Sequence, residues 1–127
     1  MSLMGAYCLG LVMSGEVGHR SIPVETKIAV GMAYYRRADF KPGKICEVVN
    51  KKWSSEYITK LKRGDYEYPD SKKLLENMVL AQKIINFNFK SDYSKGATHF
   101  HDSSIKNPWG FKPVVRLKAY PNDLIFY

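Results

Sequence analysis

The sequence predicts an α+β domain, in which a mainly helical N-terminal part precedes a small C-terminal antiparallel β-sheet. Two observations predict this class. Apolar residues recur at helical spacing through the first two thirds of the chain, and the last third has short segments of strand composition separated by turn residues. The 127 residues suit a single domain over residues 1–127, and a hydrophobic fraction of 45% is enough for one core.

The first predicted helix is a dense apolar run. It extends from Gly5 to Gly15 and is predicted to end between Ser14 and Gly18. The part from residue 4 to residue 13 has the apolar character of a signal-peptide core. No basic segment precedes it and no small-residue cleavage site follows it. We therefore interpret the run as a core helix and expect no signal peptide in this chain.

Two further helices are predicted next. Ser21 is a suitable cap for the second helix, Pro23 fits its first turn, and apolar residues then recur at helical spacing up to Arg37. A turn is predicted at residues 41–43. The apolar residues between 45 and 49 indicate a short third helix.

The middle of the chain holds one strong helix. Residues 53–62 form a polar, aromatic-containing connection for which no structure is predicted, and residues 63–69 read as a loop. Asp70 or Ser71 is predicted to cap a helix whose apolar residues recur from 74 to 85. This helix should pack one apolar face against the core.

The character of the sequence changes after residue 89. Residues 113–117 and 124–127 have strand composition, with a Pro-Asn-Asp turn at residues 121–123 between them. A third strand is expected around residues 97–101. These segments predict the small antiparallel sheet.

The formal net charge of +8 indicates a polyanionic partner, such as nucleic acid, anionic lipid or a bacterial envelope. The basic residues are dispersed, with no zinc-finger spacing and no RNP-type aromatic motif. We therefore expect no nucleic-acid partner. No stretch is long and apolar enough to cross a bilayer, so no membrane insertion is expected.

Cys8 and Cys46 both lie in apolar helical patterns. Burial habits of cysteine favour two buried free thiols. A disulfide remains the alternative if the domain works outside the cytosol, since the sequence alone does not decide the pairing.

Glu16 is the first candidate for chemistry. It follows an apolar helix directly, and desolvation of a carboxylate raises its pKa. A glutamic acid that stays protonated near neutral pH can donate its proton to a glycosidic oxygen. From the residues alone, an ordinary helix-end glutamate that faces water is the simpler interpretation.

His99 and His101 form an H-x-H pair, and alternate residues of a strand face the same side. A metal site would take His19 or Asp102 as additional ligands, but no further ligand has a recognisable spacing. Contact with a sugar, or a structural hydrogen bond, is therefore preferred, and no metal or cofactor is expected. Trp53 and Trp109 lie in polar loops and are candidates for a sugar-binding groove, whereas core packing is expected for Tyr34 and Phe100.

Three stretches resemble the SleB/CwlJ-type cell-wall hydrolases, which are spore-cortex lytic enzymes and related phage and bacterial proteins. The apolar run that ends in Glu16 is similar to the family's helix before its catalytic glutamate. Residues 28–36, with the segments that follow up to residue 54, are similar to its second helix and the region after it. The Gly-Ala-Thr-His-Phe-His run at residues 96–101, Pro108-Trp109 and the closing residues 123–127 are similar to its last part. Tyr35-Arg36 and Lys52-Trp53-Ser54 depart from the family's usual Asn-Arg and Gln-Phe-Ser.

The resemblance implies a lysozyme-like fold and cleavage of the bond between N-acetylmuramic acid and N-acetylglucosamine, with Glu16 as the catalytic acid. With one acid at the motifs, lytic transglycosylation is the expected reaction. The residues expected to contact substrate are Tyr35, Trp53, Ser54, Thr98, His99, His101, Trp109 and Tyr127. The expected partner is the peptidoglycan glycan strand, the expected location is the cell envelope or the exterior, and a monomer is expected.

Three alternatives remain open from the sequence. A hydrolytic muramidase needs a second carboxylate or a held water, and the carboxylates considered for it are Asp39, Glu47, Glu56 and Asp102. A non-catalytic, basic module that binds cell wall or nucleic acid would also explain the charge and the aromatic residues. A metal-dependent enzyme would use His99 and His101.

Overall fold

The computed structural model of the chain describes residues 3–51, 54–87, 89 and 91–127. Within these residues five α-helices precede three short strands, which confirms the predicted α+β class. The elements are α1 (Leu3–Val17), α2 (Val24–Arg37), α3 (Ile45–Asn50), α4 (Glu56–Lys62), α5 (Ser71–Ile85), β1 (Phe100–Asp102), β2 (Val115–Leu117) and β3 (Leu124–Phe126).

Helix α1 is the centre of the helical part. It is buried over most of its length, and it packs most extensively against α5 and then against α2 and α3. A helix that is apolar on all sides needs such neighbours on several faces. The prediction of a buried first helix that ends between Ser14 and Gly18 is confirmed. None of the helices that the structure describes is long and apolar enough to cross a bilayer.

The start of α2 differs from the prediction. The helix begins at Val24 after Pro23, and no side chain caps it, so the predicted capping role of Ser21 is wrong. The Ser21 hydroxyl is instead hydrogen-bonded to Nδ1 of His19, at 2.7 Å. The carbonyl oxygen of Pro23 accepts from the amides of Thr26 and Lys27. Ser21 therefore stabilises the short turn over residues 19–22, three residues before the helix begins.

Helix α4 occupies part of the connection for which no structure was predicted. Ser55 caps it, because the Ser55 hydroxyl accepts from the amide of Ile58 at 3.2 Å. Ile58 and Leu61 are buried at helical spacing. A capping serine followed by this spacing was a signal that the sequence contained. The predicted cap of α5 is confirmed at Asp70, which accepts from the amide of Lys73 at 2.9 Å.

The three strands form one antiparallel sheet in the order β1-β3-β2. Phe100 and Val115 both pair with Phe126 of the central strand, β3. The side chain of Phe126 is fully buried. The sheet meets α2 through an edge-to-face contact between Phe100 and Tyr34, whose ring centroids are 5.7 Å apart. The predicted sheet is therefore confirmed, with strands of three residues each.

Cys8 of α1 and Cys46 of α3 form a disulfide, with their Cα atoms 5.2 Å apart. The favoured interpretation of two free thiols is therefore wrong. Because α1 packs against α3, the two cysteines come within the Cα separation that a disulfide spans. A burial pattern within one helix does not predict a distance between two helices.

Candidate active site

Glu16 lies in the last turn of α1 and meets the start of α4. The Ser55 hydroxyl donates to Oε1 of Glu16 at 2.8 Å, and the backbone amide of Tyr57 also donates to this carboxyl group. Burial raises the pKa of Glu16, and the nearby charge of Glu56 raises it further. The hydrogen bonds from Ser55 and Tyr57 and the charge of Arg37 oppose this shift only in part. The net effect favours the protonated acid.

Gly15 allows α4 to approach the end of α1 so closely. A side chain at Gly15 would place its Cβ 2.0 Å from the ring of Tyr57, so the tyrosine occupies the space that any other residue would fill. The ring of Tyr57 then stacks on that of Tyr66, with centroids 5.8 Å apart and planes at 23°. The glycine before Glu16 thus positions both the amide and the ring of Tyr57.

A surface depression of about 490 Å³ opens beside this carboxyl group. This volume lies within the range of roughly 300–1,000 Å³ that small-molecule sites occupy. We call it the acid site, and it is lined by Gly15, Glu16, Glu56, Tyr57, Tyr66 and Glu67. It combines one desolvated acid with two stacked tyrosine rings, which suits a ligand with an apolar face and a polar edge.

The four other carboxylates considered from the sequence occupy different places. Glu56 lines the acid site and forms an ion pair with Lys60 at 2.8 Å. Asp39 is exposed and pairs with Lys41, Glu47 is exposed on α3, and Asp102 binds the amide of Ser104. Of these four, only Glu56 shares the depression with Glu16. Glu67, which the sequence did not single out, lies there too.

Tyr34 faces Glu16 from α2, although only core packing was expected for it. The ring is buried, and its hydroxyl donates to the carbonyl oxygen of Ser54 at 3.2 Å. Burial raises the pKa of Tyr34, and the charge of Glu16 adds to that shift. The phenol therefore stays neutral beside the acid and holds the segment before α4.

A second depression, of about 390 Å³, lies beside Ser54. It contains two cationic side chains, an imidazole and an indole. We call it the aromatic–basic cavity, and it is lined by Arg37, Val48, Lys51, Ser54, His99, Phe100 and Trp109. Ser54 lines this cavity, and the next residue, Ser55, donates to Glu16 of the acid site, so one short segment contacts both.

The structure brings several of the predicted substrate residues together at the aromatic–basic cavity. Trp109 contacts both His99 and His101, with ring centroids 5.2 and 5.6 Å apart. Tyr127 stacks on His101 and hydrogen-bonds to its Nε2 at 2.7 Å, while Nδ1 of His101 is bonded to the carbonyl oxygen of Asp102. Both nitrogens of His101 therefore have protein partners, which suits a supporting role.

His99 and Thr98 lie at the entrance of this ring cluster. The Thr98 hydroxyl is hydrogen-bonded to Nδ1 of His99 at 2.7 Å, and the Thr98 carbonyl oxygen accepts from Nε of Arg37. Burial lowers the pKa of His99, and the positive charge of Arg37 lowers it further. His99 is consequently a neutral imidazole near pH 7.

Tyr35 is not brought to this region. Its hydroxyl donates to the carbonyl oxygen of Phe40 at 3.1 Å, and its ring contacts Phe40 and Phe87. Consecutive residues of a helix point about 100° apart, so Tyr34 rather than Tyr35 faces Glu16. Trp53, also expected to contact substrate, lies outside the described residues.

Asp92 organises the loop that leads to β1, and the sequence did not reveal it. Its carboxylate accepts from Arg36 at 2.8 Å, from the amide and hydroxyl of Ser94, and from the amide of Gly96. Burial raises the pKa of Asp92, but these bonds to Ser94, Arg36 and Gly96 outweigh burial and lower it overall. The loop thereby places Thr98 and His99 beside α2.

No group of three or more His, Cys, Asp or Glu side chains that could hold a metal ion occurs among the residues that the structure describes. Comparisons with protein-family models, with curated proteins and with solved structures found no match for this chain. The chemistry of the site is therefore argued from its residues. A carboxyl group whose pKa is raised, held by Ser55 and the amide of Tyr57 at the edge of an open depression, is suited to donate a proton to a bound ligand.

Proposed function

We propose that this protein is a peptidoglycan-cleaving glycosidase with a lysozyme-like fold, related to the SleB/CwlJ-type cell-wall hydrolases, and that Glu16 is its catalytic acid. The observation that carries the proposal is the position of the partly buried Glu16, whose pKa is raised, at the edge of the acid site. An acid that stays protonated near neutral pH is what cleavage of a glycosidic bond requires. The disulfide supports work in the cell envelope or outside the cell.

The proposed reaction is lytic transglycosylation of the bond between N-acetylmuramic acid and N-acetylglucosamine. Glu16 donates its proton to the bridging oxygen as the bond from that oxygen to the anomeric carbon breaks. The resulting carboxylate then takes the proton of the C6 hydroxyl of the same muramic residue, and that oxygen bonds to the anomeric carbon. The product is a 1,6-anhydro sugar, and Glu16 is protonated again.

Ser55 and the amide of Tyr57 have a defined role in this cycle. Both donate hydrogen bonds to the Glu16 carboxyl group, so they stabilise the carboxylate that forms after the proton has left. Burial acts in the opposite direction and keeps the resting acid protonated. The stacked rings of Tyr57 and Tyr66 supply a surface for the apolar face of a sugar.

The test is turnover of purified cell walls by the wild type and by Glu16→Gln. Glutamine keeps the size of the side chain and an acceptor for Ser55 but has no acidic proton to transfer to the leaving oxygen. We expect cleavage to fall by roughly 10²- to 10⁴-fold, the usual contribution of a general acid. Glu76→Gln on the exposed side of α5 is the matched control and should cleave normally. Equal clearing of walls by wild type and Glu16→Gln would exclude Glu16 as the acid.

Hydrolysis is the second candidate reaction, and one observation favours it. Glu56 and Glu67 line the same depression as Glu16, so a second carboxylate is present to hold a water molecule. Mass spectrometry of the digested glycan separates the two reactions. An anhydro end on the muramic residue supports transglycosylation, and a reducing muramic end supports hydrolysis.

The non-catalytic alternative is tested with the same proteins. If neither wild type nor Glu16→Gln releases soluble fragments, but both bind DNA with a steep dependence on salt, the protein is a basic binding module and the enzyme proposal fails.

A further inference from the structure

The aromatic–basic cavity contains a guanidinium that is held in place by neutral groups. Arg37, the last residue of α2, donates from Nε to the carbonyl oxygen of Thr98 and from Nη1 to the hydroxyl of Ser54, at 3.2 Å in the latter case. Its guanidinium carbon lies 4.9 Å from the centre of the Tyr34 ring. These contacts fix the plane of the guanidinium without neutralising its charge.

Arg36, the preceding residue, differs from Arg37 because its charge is paired with a carboxylate. It forms an ion pair with Asp92 at 2.8 Å and donates to Ser94 and to the carbonyl oxygen of Ala97. The ion pairs found among the described residues involve Arg36, Lys41, Lys60, Arg63 and Arg116, and none involves Arg37. Among the described residues, Nη2 of Arg37 also has no hydrogen-bond acceptor.

Arg37 is partly buried, and partial burial of an unpaired charge has a cost that an anionic ligand would offset. Burial lowers the pKa of Arg37, while the phenol of Tyr34 and the carboxyl group of Glu16 raise it only in part. When Glu16 is protonated, its charge no longer contributes. Among the described residues no carboxylate forms an ion pair with Arg37, so protonation of Glu16 leaves the guanidinium without a counter-ion there.

The walls of the cavity indicate what kind of anion fits. Lys51 contributes a second cation on the rim, and the ring of Trp109 forms an aromatic wall beside the neutral imidazole of His99. A planar guanidinium with a free donor matches the two oxygens of a carboxylate. An indole face matches the apolar face of a pyranose ring. The cavity thus suits a sugar ring that carries a carboxylate.

We infer that the aromatic–basic cavity binds the lactyl carboxylate of a muramic residue from which the stem peptide has been removed, with the carboxylate on Arg37 and Lys51 and the sugar ring against Trp109. This inference rests on the proposed function for the identity of the glycan. In intact peptidoglycan the same carbonyl group is an amide and carries no charge. The cavity therefore makes the protein selective for peptide-free glycan strands.

The test uses peptide-free glycan fragments in two forms, one with the free lactyl acid and one with that acid converted to its methylamide. Binding is measured by calorimetry with Glu16→Gln, so that the ligand is not consumed. We expect the free acid to bind roughly tenfold more tightly than the methylamide, as expected for a charge-assisted contact. Added salt should reduce the preference.

Lys51→Ala should remove part of the preference, and it should fold normally because Lys51 is exposed. Arg37→Lys should remove most of it, since the forked geometry is lost while the charge is kept. Lys83→Ala, which removes an exposed charge at the far end of α5, is the control and should keep the full preference. Equal affinity for the acid and the methylamide, or the same loss in Lys83→Ala as in Lys51→Ala, would overturn the inference.

The two proposals fail in distinguishable ways. Wall cleavage that depends on Glu16, combined with equal binding of acid and methylamide, overturns the carboxylate site and leaves the enzyme proposal standing. Absence of wall cleavage, combined with a preference for the acid that depends on Arg37, supports the carboxylate site and removes the enzyme proposal.

Discussion

At the scale of single residues, the properties of Glu16 result from opposing contributions. Burial and the neighbouring Glu56 favour the protonated acid, and hydrogen bonds from Ser55 and the amide of Tyr57 favour the carboxylate. Its position in the last turn of α1 also disfavours the carboxylate, because the C-terminal end of a helix is electronegative. The side chain is thus suited both to donate a proton and to tolerate the charge that remains.

The first prediction concerns the stability of Glu16→Gln as a function of pH. A carboxyl group whose pKa is raised on folding binds its proton more tightly in the folded state than in the unfolded chain. Its contribution to stability is therefore complete below its unfolded pKa and is lost as the pH rises through the folded pKa. Glutamine does not titrate, so the variant should become increasingly more stable than wild type as the pH rises.

Thermal unfolding of both proteins between about pH 4 and about pH 8 measures this difference. Each unit by which the pKa of Glu16 is raised corresponds to about 1.4 kcal/mol of additional stability for the variant at the upper end. A difference between Glu16→Gln and wild type that stays constant with pH would contradict a raised pKa.

At the scale of elements, close helix packing depends on glycine at specific contacts. A Cβ at Gly10 of α1 would lie 2.9 Å from the backbone nitrogen and 3.0 Å from the Cα of Met78 in α5. A Cβ at Gly31 of α2 would lie 2.4 Å from a methyl group of Ile84. The backbones of α1 and α5 therefore touch. The added Cβ at Gly10 would meet the Cγ of Met78 at 2.7 Å and, nearly as closely, main-chain atoms that cannot rotate away.

The second prediction follows from this contact. Alanine is a better helix former than glycine by about 1 kcal/mol, but overpacking a well-filled core costs about 1–3 kcal/mol. Gly10→Ala should therefore lower the free energy of unfolding, by up to about 2 kcal/mol, which chemical denaturation would measure. Gly43→Ala is the matched control, because nothing lies within 4 Å of the position of its added Cβ. Equal stability of the two variants would show that α1 and α5 are not in backbone contact.

At the scale of the whole molecule, one disulfide links the central helix α1 to a helix that packs against it. The disulfide between Cys8 and Cys46 spans 38 residues and joins α1 to α3. Helix α3 is followed by the segment that contains Ser54, which lines the aromatic–basic cavity, and Ser55, which donates to Glu16. The disulfide therefore stabilises the contact between α1, which carries Glu16, and α3, which precedes Ser54 and Ser55.

The third prediction is the cost of losing this bridge. Closing a loop of that length reduces the entropy of the unfolded chain and contributes about 2–4 kcal/mol to stability. Reductant should lower the Tm of the wild type, and the double variant Cys8→Ala, Cys46→Ala should show a similarly low Tm. The sequence has two cysteines, so reductant should not change the Tm of the double variant. An unchanged Tm for the wild type in reductant would contradict a stabilising disulfide.

The sequence by itself determined the α+β class, the end of α1 and a cap of α5 at Asp70 or Ser71. It also made Glu16 a candidate, which the family resemblance then favoured over an ordinary helix-end glutamate. These features depend on local properties, namely helical spacing, capping residues and a carboxylate directly after an apolar run. Helix α4 was not predicted but could have been, because Ser55 is a capping residue and precedes apolar residues at helical spacing.

Only the tertiary structure decided which side chains meet. It paired Cys8 with Cys46, turned Tyr34 rather than Tyr35 towards Glu16, and placed Arg37 beside Thr98 without a carboxylate partner among the described residues. Each of these depends on the distance between segments that are far apart in the chain. Periodicity within one segment carries no information about that distance, which is set by how the helices and the sheet pack.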